Sequence, residues 1–193
     1  MGLKIGITGG IGSGKTFICR LFQMLGVPVY NADEEAKKLM NTDSRIREKL
    51  VAQFGQAVYK DGQLDRAFLA RVVFSDAQKL QILNSIVHPI VIQEAKDWAA
   101  RQKTRYSLKE AALLFESGSY KELDYTILVT APLDLRVQRV MHRDGMTEQQ
   151  VRERISKQLS DEEKLQLTDF VIVNDGITPL LPQVWTLHQK FLK

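Results

Sequence analysis

Eight consecutive residues, Gly9-Gly10-Ile11-Gly12-Ser13-Gly14-Lys15-Thr16, fit the pattern G-x-x-x-x-G-K-[ST]. Four glycines leave the backbone free to turn successive N–H groups inward around phosphate oxygens, where side chains would obstruct them. A helix expected to begin near Lys15 adds the positive end of its dipole. Lys15 can span the β- and γ-phosphates of ATP, and the Thr16 hydroxyl can join a Mg²⁺ shell otherwise made of water and phosphate oxygens. The plainer alternative is a glycine-rich turn without chemistry. The pattern, however, follows an expected strand and opens an expected helix, which is the context it needs.

Two other groups of residues carry candidate chemistry. Asn31-Ala32-Asp33 closes the second expected strand, and strand ends of a parallel sheet face the ligand rim. Asp33 is therefore the candidate to accept or orient the proton of an acceptor hydroxyl; N-capping of the following helix is its structural alternative. Arg136, Arg139, Arg143, Arg152, Arg154 and Lys157 form a basic cluster, with Arg139 and Arg143 four apart on one helical face. Such guanidiniums clamp phosphate oxygens or stack on a base, or else they simply dress a solvated helix.

These groups need a scaffold, and the hydrophobic pattern supplies one. Apolar runs alternate with helical periods, the signature of an α/β fold with a parallel sheet. Strands are expected at Leu3–Thr8, Val27–Tyr30, about Ala111–Phe115, Tyr125–Thr130 and Phe170–Val173. Helical faces are carried by Phe17, Ile18, Leu21, Phe22 and Leu25; by Ala36, Leu39 and Met40; and by Leu180, Leu181, Val184, Leu187 and Phe191. Helices near Pro132–Arg143 and Thr147–Leu159 lie between the last two strands, the second opening with the capping-box pair Thr147 and Gln150. Between about residues 43 and 101 the strand signal vanishes. Four amphipathic helices are expected there, around Ile46–Phe54, Leu69–Val73, Leu80–Ile86 and Ile92–Trp98. The chain reads as a five-stranded core, about residues 1–42 and 102–193, with a helical insert at 43–101 and a lid near 139–158.

The 193 residues include 27 Lys+Arg, 23 Asp+Glu, one cysteine and three histidines, with 44% hydrophobic and 8% aromatic residues. Those fractions exclude disorder, collagen-like repeats and a coiled coil. No apolar run approaches the ~20 residues of a membrane span, and no signal-peptide stretch precedes the first strand. A lone Cys19 rules out an internal disulfide framework, and the scattered histidines rule out a His/Cys metal cluster. The expectation is a soluble cytoplasmic protein without nucleic-acid or membrane partners, monomeric or weakly self-associating. Its net charge of +4 is a modest lysine excess on solvated helices.

A GTPase would need an N-K-x-D segment after a late strand, where this chain has Thr130-Ala131-Pro132 and Asn174-Asp175-Gly176. Small-molecule kinases need a phosphate loop, an acceptor-side carboxylate and an arginine-bearing lid, and all three are present. At this level a nucleoside monophosphate kinase, and a non-catalytic ATP-binding switch, remain alternatives. Asp33 speaks against the switch, and the lack of a clear arginine pair among Arg45, Arg47, Arg66 and Arg71 speaks against the former.

Taken together the residues resemble the dephospho-coenzyme A kinase family across essentially the whole chain. Besides the stretch Ile7-Thr8-Gly9 through Lys15, the resemblance rests on Asp61-Gly62-Gln63-Leu64-Asp65-Arg66 with Val73-Phe74, on Leu83-Asn84-Ser85-Ile86-Val87-His88-Pro89, and on Leu113-Leu114-Phe115-Glu116 as a third core strand. It is completed by Arg139, Arg143 and Asp144 with Arg154 and Gln158. The resemblance implies ATP-dependent phosphorylation of the ribose 3′-hydroxyl of dephospho-CoA, with ATP and Mg²⁺, and a helical insert that walls the acceptor. It implies catalytic roles for Lys15, Asp33 and Arg139, and nucleotide contacts from Gly9 to Thr16 and from Arg139, Arg143 and Asn174. Substrate contacts are implied for Thr8, Asp33, Arg66, His88 and Glu116, with a structural cap the alternative for His88 and a metal-water or Lys15-orienting role added for Glu116. Three positions depart from the family: Asn31 stands where Asp is usual, Ala112 where Pro is usual, and Arg136 where Gln is usual.

Overall fold

The computed structural model describes residues 2–74 and 76–193. In chain order, β1 (Leu3–Thr8) leads through the glycine loop to α1 (Lys15–Met24), then β2 (Val29–Asn31), α2 (Ala32–Thr42) and α3 (Ser44–Phe54). A short hairpin, β3 (Tyr59–Lys60) and β4 (Gln63–Leu64), precedes α4 (Arg66–Phe74) and α5 (Ala77–Ala100). Then follow β5 (Tyr106–Glu110), β6 (Tyr125–Thr130), α6 (Leu133–Asp144), α7 (Glu148–Ile155), α8 (Asp161–Leu165), β7 (Phe170–Val173) and α9 (Leu180–Phe191). The chain forms two compact units: a sheet unit running to Asn31 and resuming at Trp98, and a helical unit, Ala32–Asp97. The sequence pattern had placed those crossings at 42/43 and 101/102. The helical unit takes α2 as well, because periodicity marks a helix but not the unit with which it packs.

The sheet unit holds the five parallel strands that the sequence implied, and they run in the order β2-β5-β1-β6-β7. Central β1 pairs Ile5 with Leu108 on one side and Ile7 with Ile127 on the other. Helices cover such a sheet, so its strands read as nearly unbroken apolar runs. Ile5, Ile7, Leu108, Ile127, Val129 and Ile172 are buried against Ile18, Phe22 of α1 and Val184, Phe191 of α9. Each large side chain so buried contributes roughly 1.5–3 kcal/mol. Phe17, expected on the inner face of α1, is instead exposed, because the face that packs is set by Ile18, Cys19 and Phe22.

The expected strand at Ala111–Phe115 is corrected: the strand is β5, five residues earlier, and Leu113–Glu116 lies in turns. Leu114 is fully buried over Gly6 of β1, whose added Cβ would come within 2.7 Å of its methyl. Past Ala111, whose N–H donates to Ile7 O at 3.1 Å, the apolar run thus fills the sheet's face without joining the ladder.

In the helical unit the stretch expected to be two helices is one, α5, running through Pro89. His88-Pro89 therefore starts no new helix. A turn also replaces the all-helical expectation: Asp61 and Gly62 take φ of 50° and 79°, the pair of positive values that a type I′ hairpin between β3 and β4 requires. Tyr59 donates its hydroxyl hydrogen to Met40 O at 2.5 Å, and Asn41 Oδ1 accepts from Leu64 N at 2.8 Å, fastening the hairpin to α2. No helix among the described residues is long and apolar enough to cross a membrane.

Candidate active site

β1 ends at Thr8, and the chain turns through Gly9–Gly14 into α1. Ser13 N donates to Gly10 O at 3.1 Å, closing the turn, and Gly14 takes φ 92°, a left-handed value that suits glycine. No side chain caps α1 and no acidic residue sits in its first turn, so the positive end of the helix is left for an anion. Lys15 Nζ donates to Gly9 O at 2.8 Å, holding the ammonium across the loop.

A loop that turns its amides inward must turn carbonyls outward, and buried carbonyls need donors. Here side chains from later in the chain provide them. Asn174, just past β7, donates Nδ2–H to Ser13 O at 2.8 Å. An added Cβ on Gly14 would lie 2.3 Å from that nitrogen. Arg139 of α6 reaches Gly12 O at 3.5 Å and Asn174 O at 3.2 Å. Arg136, read with the basic cluster as a phosphate clamp or a solvated surface residue, is instead buried: Nε donates to Ile11 O at 3.0 Å and Nη1 to Asp161 Oδ2 at 2.9 Å.

Beneath the start of α1 the structure shows a carboxylate that the sequence reading missed. Glu110 closes β5, is buried, and accepts from Thr16 Oγ1 at 2.7 Å and from Asn31 Nδ2 at 3.2 Å. Cys19 is its third neighbour; burial first, then the negative Glu110, push the thiol pKa well up. The signal was the strand itself: once β5 is placed at Tyr106–Glu110, Glu110 is its carboxyl-terminal residue beside β1. Placing the strand five residues late handed that role to Glu116. Glu116 instead accepts from Leu159 N at 3.0 Å and lies 3.6 Å from the fully buried Lys164 ammonium, so it braces the segment after α7.

Two other expected contacts are redirected. Thr8 is completely buried and donates to Ala112 O at 3.4 Å, a strut rather than a surface for substrate. Arg143 is largely exposed and lies on Asp144, at 2.7 and 2.9 Å, holding that carboxyl below the usual range. Helices α6 and α7 meet through Val137, Val140 and Val151, with Ile11 of the phosphate loop packed against them.

The helical unit holds the remaining three residues. Asp33 is exposed in the first turn of α2, two residues past the end of β2. Arg66 is exposed at the start of α4, where Asp65 accepts from Phe68 N at 2.8 Å and caps the helix. His88 is half-buried inside α5.

A parallel sheet whose central strand runs into a glycine loop, with Lys-Thr opening the next helix and arginines gripping the loop from behind, defines a P-loop kinase of the small-metabolite type. The dephospho-CoA kinase family model matches residues 3–179. The dephospho-CoA kinase of Bacteroides fragilis strain YCH46 is 43% identical over 188 residues, 97% of this chain and 92% of the relative. The crystal structure of TT1252 from Thermus thermophilus superposes with TM-score 0.88 at 36% identity, covering 100% of this chain and 98% of that one. Dephospho-CoA kinase from Campylobacter jejuni gives 0.70 at 26%, covering 98% and 97%. The chain belongs to the dephospho-CoA kinase family.

Proposed function

We propose that this enzyme transfers the γ-phosphate of ATP to the ribose 3′-hydroxyl of dephospho-CoA, with the residues above in the following roles. The observation that carries the assignment is the hydrogen-bonded chain Thr16–Glu110–Asn31 beside the glycine loop, since Asn31 is followed two residues later by Asp33.

The loop amides and the N-terminus of α1 bind the triphosphate, and Lys15 exchanges Gly9 O for a phosphate oxygen. Arg139 adds positive charge from α6. Thr16 gives its hydroxyl hydrogen to Glu110, so its oxygen lone pairs stay open to a hard cation, and the nearby carboxylate accepts hydrogen bonds from the cation's water. These oxygen donors fit Mg²⁺; among the described residues no cluster of three His, Cys, Asp or Glu offers an all-protein metal site. The chemistry a bound Mg²⁺ supplies is neutralisation of charge on the phosphate oxygens. Asp33 accepts the proton as the 3′-oxygen bonds to the γ-phosphorus and the bond to the ADP oxygen breaks. The helical unit, with Arg66 and His88, contributes the acceptor's binding surface. The reading also places the enzyme in the cytoplasm, where ATP is made available to such kinases.

A coupled ADP-release assay tests it. The purified protein is given ATP and Mg²⁺ with dephospho-CoA, or with a panel of nucleoside monophosphates. Turnover is expected with dephospho-CoA alone; equal or faster turnover with a monophosphate would overturn the assignment.

A further inference from the structure

The sequence pattern put Arg136 in the basic cluster, but its surroundings tie it to the phosphate loop. An arginine only 5% exposed must have its donors met, and among the described residues its side chain donates to Ile11 O and Asp161 Oδ2, at 3.0 and 2.9 Å. The carbonyl of Ile11 and the N–H of Gly12 belong to one planar peptide. Holding that carbonyl outward therefore holds the Gly12 amide on the opposite, phosphate-facing side. Without a donor for the carbonyl, the same peptide is free to rotate and to withdraw the amide.

The packing is close enough to enforce this. A Cβ on Gly10 would fall 2.0 Å from Arg136 Nη2, and one on Gly12 would fall 2.5 Å from the Arg136 carbonyl oxygen. The other faces of Ile11 are also taken by the second half of the chain. Gln158 Oε1 accepts its N–H at 3.0 Å, and its side chain joins Val137, Val140 and Val151. Asp161 opens α8, whose capping box (Ser160 with Glu163) fixes where its carboxylate stands.

We infer that Arg136 is a positioning residue for phosphoryl transfer. By gripping Ile11 O it keeps the Gly12 amide facing the nucleotide, and Asp161 orients the guanidinium, so the start of α8 is coupled to ATP affinity. The inference rests on the phosphate loop being the ATP site.

The test reads nucleotide binding apart from the acceptor, by calorimetric titration of ATP with Mg²⁺, and then KM for each substrate. Arg136→Met keeps the stem and deletes both bonds; ATP affinity is expected to fall about tenfold or more, the value of a charge-assisted hydrogen bond. KM for dephospho-CoA is expected to stay within about twofold, a difference of under half a kcal/mol. Arg136→Gln, which offers one N–H donor, is expected to fall between parent and Arg136→Met. Asp161→Ala, at a partly exposed position, is expected to weaken ATP binding in the parent and to add nothing in Arg136→Met. Unchanged ATP affinity in Arg136→Met with a lowered melting temperature would make the residue merely structural and overturn the inference, as would full additivity of Asp161→Ala. If the parent fails to bind ATP, the ATP-site reading itself falls and the inference with it.

Discussion

Asn31 and Asp33, two residues apart, show how far one amide differs from one carboxylate. Asn31 donates to Glu110, something an aspartate there could not do; two carboxylates at that distance would repel and one would take up a proton. The role proposed for Asp33 has the opposite requirement, since an amide in its place could not take the proton of the acceptor hydroxyl. Asp33→Asn is nearly isosteric and still suits the first turn of α2, so the fold and ATP binding are expected to persist. Single-turnover phosphoryl transfer, measured by rapid quench, is expected to drop by about 10²–10⁴-fold. A rate near that of the parent would reduce Asp33 to a helix-end residue. The two α6 arginines separate in the same way. Arg139 grips Gly12 O and Asn174, whereas Arg143 lies exposed on Asp144. Arg139→Ala is expected to raise KM for ATP several-fold more than Arg143→Ala, because exposed ion pairs contribute only ~0–1 kcal/mol. Steady-state kinetics of the two variants side by side decide this, and equal effects would mean that Arg143 swings onto the nucleotide.

At the scale of elements, α5 poses the sharpest question. Pro89 is exposed within a continuous 24-residue helix and has no N–H to give the carbonyl of Ser85. Alanine there restores the bond and the propensity, so Pro89→Ala is expected to raise stability by roughly 1–3 kcal/mol in urea unfolding. A loss of stability instead would show that the helix depends on the local opening the proline makes. The same proline explains why two helices were expected where one exists: sequence punctuation marks a probable boundary, and packing of Ile86, Val87, Val91 and Ala95 on either side overrides it. Strands β1, β6 and β7 were legible to the residue because each is a short run dominated by apolar and β-branched residues and bounded by turn or helix signals, although only β1 and β6 are mostly buried and β7 leaves Val171 and Val173 exposed. β5 was not, because Tyr-Ser-Leu-Lys-Glu alternates like a half-exposed strand although all five residues are buried. Its burial comes from neighbours on both sides, β1 and β2, which no local pattern encodes. That one slip cost the site Glu110. The glycine loop and the capping box at Thr147 were readable because their chemistry lies in contiguous residues; the donors that hold the loop come from positions 136, 139 and 174, and only the fold brings them together.

Over the whole molecule, the sheet unit is locked by an aromatic cluster that also carries a titratable hydroxyl. Tyr106 opens β5, is 2% exposed, and stacks among Phe22, His188 and Phe191, joining sheet to α1 and α9. Its hydroxyl meets His188 Nδ1 at 2.7 Å, and burial pushes its pKa far above the ordinary value of about 10. A raised pKa keeps the folded phenol protonated after the unfolded one has ionised. The stability it contributes is therefore complete below about pH 10 and is lost progressively as pH rises beyond it. Tyr106→Phe retains the ring and removes the hydroxyl, leaving His188 without that partner. Near pH 7 the variant is expected to be less stable by about 1–2 kcal/mol, the cost of leaving a buried polar group unmet. Above pH 10 only the parent bears the ionisation penalty, so the two stabilities are expected to converge. Urea unfolding of both proteins at neutral pH and near pH 10.5 measures this directly. A gap that stays constant across that range would show that the buried hydroxyl does not link protonation to folding, and that its contribution is packing alone.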